Sequence, residues 1–203
     1  MTEIITGIVL RTFHQERICV FTEQLGKIFC TNKTKNHRFV PGSLLVANLA
    51  HPQTPTMRIE HIHDIIYPSI ETIHDLTWLH HIIELYYFFM PEHQASQLDY
   101  DFFGHYIATP KTISTSSREK THVQHLAVSH FLSQAGFYEQ PSLRNYAKNF
   151  EEVIDRSGVS AVPFSMTSSE ERFIRDLILR CLQEHPQYRN FKTISFLYQV
   201  YSL

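Results

Sequence analysis

Six basic side chains lie between Arg11 and Arg38 (Arg11, Arg17, Lys27, Lys33, Lys35 and Arg38), against two acidic ones, Glu16 and Glu23. Phe13, Phe21, Phe29 and Phe39 are interleaved with them. Basic groups tracking a groove neutralise phosphates, and aromatic rings offer faces on which bases stack. The pattern is therefore that of a candidate nucleic-acid-binding surface made of those six residues. The plainer alternative is that lysine and arginine at a sheet edge only solvate it or block edge pairing, while some of the phenylalanines are core.

Other chemistry is weaker. The chain has fourteen histidines, and His61-Ile62-His63 within a strand places two imidazoles on one face; His80 and Glu84 are one helical turn apart. No His-Glu-x-x-His motif and no third ligand in register accompanies them, so scattered histidine is the expectation and no metal site is assigned. Cys19, Cys30 and Cys181 form no C-x-x-C pair, and each sits in an apolar pattern that reads as core. No serine or cysteine carries a nucleophile signature. No catalytic residue and no cofactor is assigned from these patterns.

The basic residues must be held by short strands. Ile4 to Arg11, Arg17 to Thr22 and Lys27 to Thr31 read as three strands, with a tight turn at Leu25-Gly26. Pro41-Gly42 makes a turn before Ser43 to Ala50, and Met57 to Ile66 follows Pro52 and Pro55. Five short antiparallel strands in about 65 residues match the count of a small OB-type barrel, with an SH3-like barrel fitting nearly as well. From Tyr67 the period changes. Ser69 is the expected cap of a helix through Ile73, Leu76, Leu79, Ile82, Ile83 and Tyr86, ended by Pro91. The aromatic run Tyr86 to Phe89 lies on this helix, where four successive side chains cover all sides.

Further helices are expected from Ser96 through Tyr106, from Lys120 to Gln134 and from Pro141 through Phe150, with loops at 109–117 and 158–165. Ser168 and Glu171 have capping-box spacing ahead of the stripe Phe173, Ile174, Leu177, Ile178, Cys181 and Leu182. A last helix is expected over Tyr188 to Tyr201. The predicted fold is α+β: a five-stranded antiparallel OB-type β-barrel over residues 1–67, then an all-helical domain over 68–203.

At 203 residues with 43% hydrophobic and 19% charged side chains, the chain has the composition of an ordinary globular protein. The formal net charge of −2 is unevenly spread. Residues 1–60 hold seven basic and four acidic side chains, net +3, and the remainder carries net −5. Such polarisation is expected where one part meets an anion. The most apolar run, Trp78 to Met90, holds two histidines and a glutamate and is too short to span a bilayer. The first residues lack the features of a secretory signal, so a cytoplasmic location and no membrane partner are expected.

These features in order resemble a known family. Gly7-Ile8-Val9-Leu10-Arg11, then Val20-Phe21-Thr22, Leu25-Gly26-Lys27 and a basic link are similar to the start of the bacterial recombination mediator RecO. Trp78 to Glu84 followed by Pro91-Glu92, then Phe102-Phe103, and Phe131-Leu132 with Ala135-Gly136-Phe137 extend the likeness over nearly the whole chain. Many members carry a four-cysteine zinc motif after the last segment. Here Tyr138-Glu139-Gln140-Pro141 stands there, and Asn32 to Arg38 replaces the family's Gly-Ala-Arg/Lys-rich link, so the chain looks like a short, zinc-free member.

The resemblance implies binding of single- and double-stranded DNA, strand annealing, and help in loading RecA onto strands coated by the single-strand binding protein. It also implies a protein that is not an enzyme and is nucleoid-associated during repair, with two protein partners, RecR and the acidic C-terminal tail of the single-strand binding protein. The alternative reading is a helical protein-interaction adaptor whose barrel binds a peptide and no DNA. A third is a metal-dependent hydrolase using the histidines.

Overall fold

A computed structural model describes residues 2–13, 16–32, 37–50, 57–95, 100, 128–129, 131–132 and 167–193. The expected helices at 96–106, 120–134 and 141–150, the two loops, and the chain beyond 193 lie largely or wholly outside these residues. Two compact units are distinguished by their contacts, Met1–Pro110 and Lys111–Leu203. The change from strand to helix near residue 67 thus falls inside the first unit.

That unit contains a closed barrel of five strands in the order β1-β2-β3-β5-β4, where β1 is Thr2–Phe13, β2 Arg17–Thr22, β3 Gly26–Asn32, β4 Leu44–Ala50 and β5 Met57–Ile66. The expected strands are all present. One pairing differs from the all-antiparallel expectation: β3 meets β5 in parallel, through Cys30↔Met57, Thr31↔Arg58 and Asn32↔Ile59. The reason is closure. β4 already lies antiparallel between β1 and β5, so the only free edge left for β5 runs in the direction of β3. A hairpin count along the chain does not reveal that long-range contact.

β1 is shared by both halves of the barrel, pairing with β4 over Thr2 to Ile8 and with β2 over Gly7 to Phe13. Gly7 sits where the two ladders overlap. A Cβ there would stand 2.5 Å from Val20 Cγ1 and 2.8 Å from Thr22 Cγ2, so the close crossing requires its hydrogen. The interior is filled by Ile5 and Val9, Ile18 and Val20, Ile28 and Cys30, and Leu45, Ala47 and Leu49 in strand alternation, by Ile59 and Ile62, three apart because the β4–β5 register shifts between Asn48 and Leu49, and by Phe39 from the link. Alternation over two faces is the ordinary consequence of the strand's twofold period.

Helix α1, Ile73–Phe89, follows the barrel. Its cap is Thr72 rather than the expected Ser69: Thr72 Oγ1 accepts from Asp75 N at 3.1 Å, and Thr72 N donates to Asp75 Oδ2 at 3.2 Å. This reciprocal pair satisfies two amide groups that a helix start leaves unbonded. Trp78, Leu79, Ile82, Ile83, Leu85, Tyr86 and Phe89 are buried, but Ile73, assigned to the apolar stripe by spacing, is 77% exposed.

In the second unit, α2 spans Ser168–Glu184. Ile174, Leu177, Ile178, Cys181 and Leu182 are buried as the stripe predicts, whereas Phe173 is exposed. Of the helix expected over Tyr188 to Tyr201, the described part is a 3-10 turn, Tyr188–Asn190, followed by extended Phe191, and residues 194–201 lie outside the described residues. Among the described residues no helix is long and apolar enough to cross a membrane.

Candidate nucleic-acid interface

Cross-strand partners point to the same side of a sheet, so the pairing register shows which side chains share the outer face of β1, β2 and β3. One row is Arg11, Cys19 and Phe29; the next is Phe13, Arg17 and Thr31. Arg11 and Phe13 belong to this face only because the β1 register slips between Val9 and Arg11. Val9 points into the barrel, and strict alternation would send Arg11 inward with it; the extra residue, Leu10, reverses the phase. A bulge that re-aims a side chain is hidden from any reading by period alone.

The rows interlock as cation and ring. The Arg11 guanidinium lies 5.1 Å from the Phe13 centroid and 4.9 Å from that of Tyr87 on α1. Arg17 lies 5.1 Å from the Phe29 centroid. Phe13 stands 6.0 Å from Phe29 and 6.3 Å from Tyr87. Both arginines are exposed, and the three rings are half-buried, leaving part of each to solvent. Among the described residues neither arginine forms an ion pair, so both charges remain available to an anion.

Beneath them, Cys19 is fully buried, and desolvation pushes its thiol up to about 12 despite the pull of Lys27, Arg11 and Arg17. Burial likewise raises Cys30 to about 12 inside the barrel. Neither is a thiolate near neutral pH, which removes the species a nucleophile needs.

The six basic residues expected at this surface fall into different places. Arg11 and Arg17 are brought together on the ring cluster. Lys27 shares the face but is only 8% exposed: its Nζ donates to the Tyr87 carbonyl at 2.8 Å and lies 5.6 Å from that ring. Burial lowers its pKa, against opposing effects of Cys19 and Glu92. With no basic residue in the last turn of α1, this ammonium supplies the positive charge that a helix C-terminus favours. Lys27 therefore holds Tyr87 in place. Arg38 is exposed, and its carbonyl accepts from Tyr67 Oη at 3.2 Å; no described contact joins its side chain to the cluster. Lys33 and Lys35 lie outside the described residues.

Of the four interleaved phenylalanines, Phe13 and Phe29 contribute to the surface. Phe21 is fully buried against Tyr86, ring centroids 5.1 Å apart, and Phe39 is barrel core. Tyr87 is the residue that sequence reading left out of the site. Its only signal was the run Tyr86 to Phe89, in which two rings, Tyr86 and Phe89, are buried and two, Tyr87 and Phe88, are half-buried.

No protein-family model matches the chain, and no curated protein matches it.

Proposed function

We propose that this chain is a RecO-like mediator of DNA repair and recombination, with an OB-type barrel as its DNA-binding part. The observation that carries the DNA-binding reading is the outer face of β1 to β3. Two exposed, unpaired arginines are interleaved there with three half-exposed rings. Strands two and three are the usual binding face of an OB barrel, and the 1-2-3-5-4 closure with parallel β3 and β5 supports that assignment. The net +3 of residues 1–60 within a net-negative chain points the same way.

In this reading the arginines neutralise phosphates and Phe13, Phe29 and Tyr87 stack bases. The protein anneals strands and helps load RecA onto DNA coated by the single-strand binding protein, with that protein's acidic tail and RecR as partners. It makes and breaks no bonds, needs no cofactor and acts in the cytoplasm. The order of the RecO-like motifs along the chain supports this wider role.

One observation favours the adaptor alternative. Ile66, Tyr67, Ile70 and Ile73, from the end of β5 to the start of α1, are all exposed, a run of apolar side chains suited to a protein partner.

The test is fluorescence anisotropy of labelled single-stranded DNA over a salt series. The parent binds, with log affinity falling about 0.7 per phosphate neutralised on log salt. Arg11→Ala with Arg17→Ala lowers that slope by about 1.4 if each arginine meets one phosphate. Unchanged binding in this double variant would remove the site assignment. A parent that fails to bind at low salt would remove the DNA reading and leave the adaptor. The triple variant of Lys33, Lys35 and Arg38 to alanine reports separately on the link.

A further inference from the structure

A different face of the barrel carries the two imidazoles of His61 and His63. Both residues are exposed, and Ile62 between them is barrel core. Their ring centroids are 4.8 Å apart with the rings nearly perpendicular, at 83°. Strand register sets His61 opposite Asn48, which in turn faces Ile4 of β1. The β4–β5 register shifts between Val46 and Ala47, opposite the stretch from Ile62 to Asp64. The slip leaves His63 as an additional residue on the outer side, beside His61.

His63 is also oriented. Its Nε2 is 2.8 Å from Asn48 Oδ1. An amide oxygen only accepts, so in this contact Nε2 donates, and the lone pair of the neutral ring is then on Nδ1. This is the arrangement by which an outer hydrogen bond sets the tautomer of a metal-binding histidine. An ion held roughly 2.0–2.1 Å from one nitrogen of each ring would separate the two centroids by about 5 Å. The observed 4.8 Å matches that separation, and turning each ring about its side-chain torsions brings one nitrogen of each towards a shared ion.

We propose that His61 and His63 form a two-imidazole site for a borderline divalent transition-metal ion, taking Cu2+ ahead of Ni2+ and Zn2+. The preference follows from the ligands. Imidazole suits these ions, and affinity among them rises to Cu2+ in the usual order. Hard ions such as Mg2+ and Ca2+ require oxygen donors and are not bound there. Among the described residues no third histidine, cysteine or carboxylate completes a cluster, so the ion keeps solvent at its remaining positions. On the same strand, the cation Arg58 is paired with Glu60 at 2.6 Å. The site does not depend on the DNA-binding reading.

Titration of the full chain with Cu2+ by calorimetry, beside the His61→Asn/His63→Asn variant, tests the proposal. The chain has fourteen histidines in all, so the tightest equivalent is the one to follow. The proposal expects its affinity to fall a hundredfold or more in the double variant and about tenfold in Asn48→Ala, the effect of losing an orienting partner. Paramagnetic broadening of histidine resonances in the parent provides a second measurement that needs no variant. Broadening of His61 and His63 first, at sub-stoichiometric Cu2+, supports the site. An unchanged first equivalent in the double variant, or first broadening at other histidines, would overturn it.

Discussion

Arg11 and Lys27 are both cations on one face of the barrel, and their surroundings separate their roles. Arg11 is exposed above two rings, while Lys27 is buried with its ammonium on a helix carbonyl. A buried cation bonded to a carbonyl holds structure, and an exposed unpaired one is free to meet phosphate. His81 shows the same dependence on environment. It lies wholly buried in α1 with its ring 5.6 Å from that of Trp78, and desolvation lowers its pKa to about 3.

An unfolded chain protonates this imidazole near its ordinary value of 6.5, while the folded one holds it neutral. The unfolded state therefore binds the extra proton between those values. The stabilising contribution is complete above pH 6.5 and is lost as pH falls towards 3, by at most about 1.4 kcal/mol per pH unit for one group. Urea unfolding followed from pH 7 to pH 4 is expected to show this slope, and His81→Phe is expected to flatten it. An equal slope in the variant would place the acid sensitivity in other groups.

At the scale of elements, the turn between β2 and β3 and the start of α1 are held by different devices. Gly26 has φ +66, and a Cβ there would run into the backbone of Gln94. The adjoining segment is tied to β3 by the His93 N to Lys27 O bond of 3.0 Å. Gly26→Ala therefore meets both left-handed strain, roughly 1–2 kcal/mol, and a backbone collision that no rotamer relieves. Thr72→Ala loses only a cap, typically about 1 kcal/mol. Chemical denaturation of the two variants is expected to rank Gly26→Ala as the more damaging, by more than about 1 kcal/mol. The reverse order would show that the Gly26 turn relaxes freely.

Across the whole molecule, charge rather than shape assigns the DNA-facing part in our reading. The first 60 residues are net positive and the other 143 net negative, so a polyanion is drawn to the barrel. Photo-crosslinking with halogenated single-stranded DNA is expected to label peptides containing Phe13, Phe29 and Tyr87, with little label in residues 111–203. Dominant label in the second unit would move the interface there.

Much of the local structure is legible in the pattern of residue types. The five strands, α1, α2 and the turns at Leu25-Gly26 and Pro41-Gly42 follow from period, turn residues and proline, which act over a few neighbours. The stretch from which the candidate site is drawn is legible too, because Arg11, Arg17, Phe13 and Phe29 are close in the chain. How those residues are arranged depends on contacts between distant segments. The bulge at Leu10 turned Arg11 outward, the parallel meeting of β3 and β5 closed the barrel, and α1 returned to place Tyr87 on the cluster and engage Lys27 beneath it. Each is a contact between distant segments or a one-residue change of phase, and no local pattern of residue types encodes either.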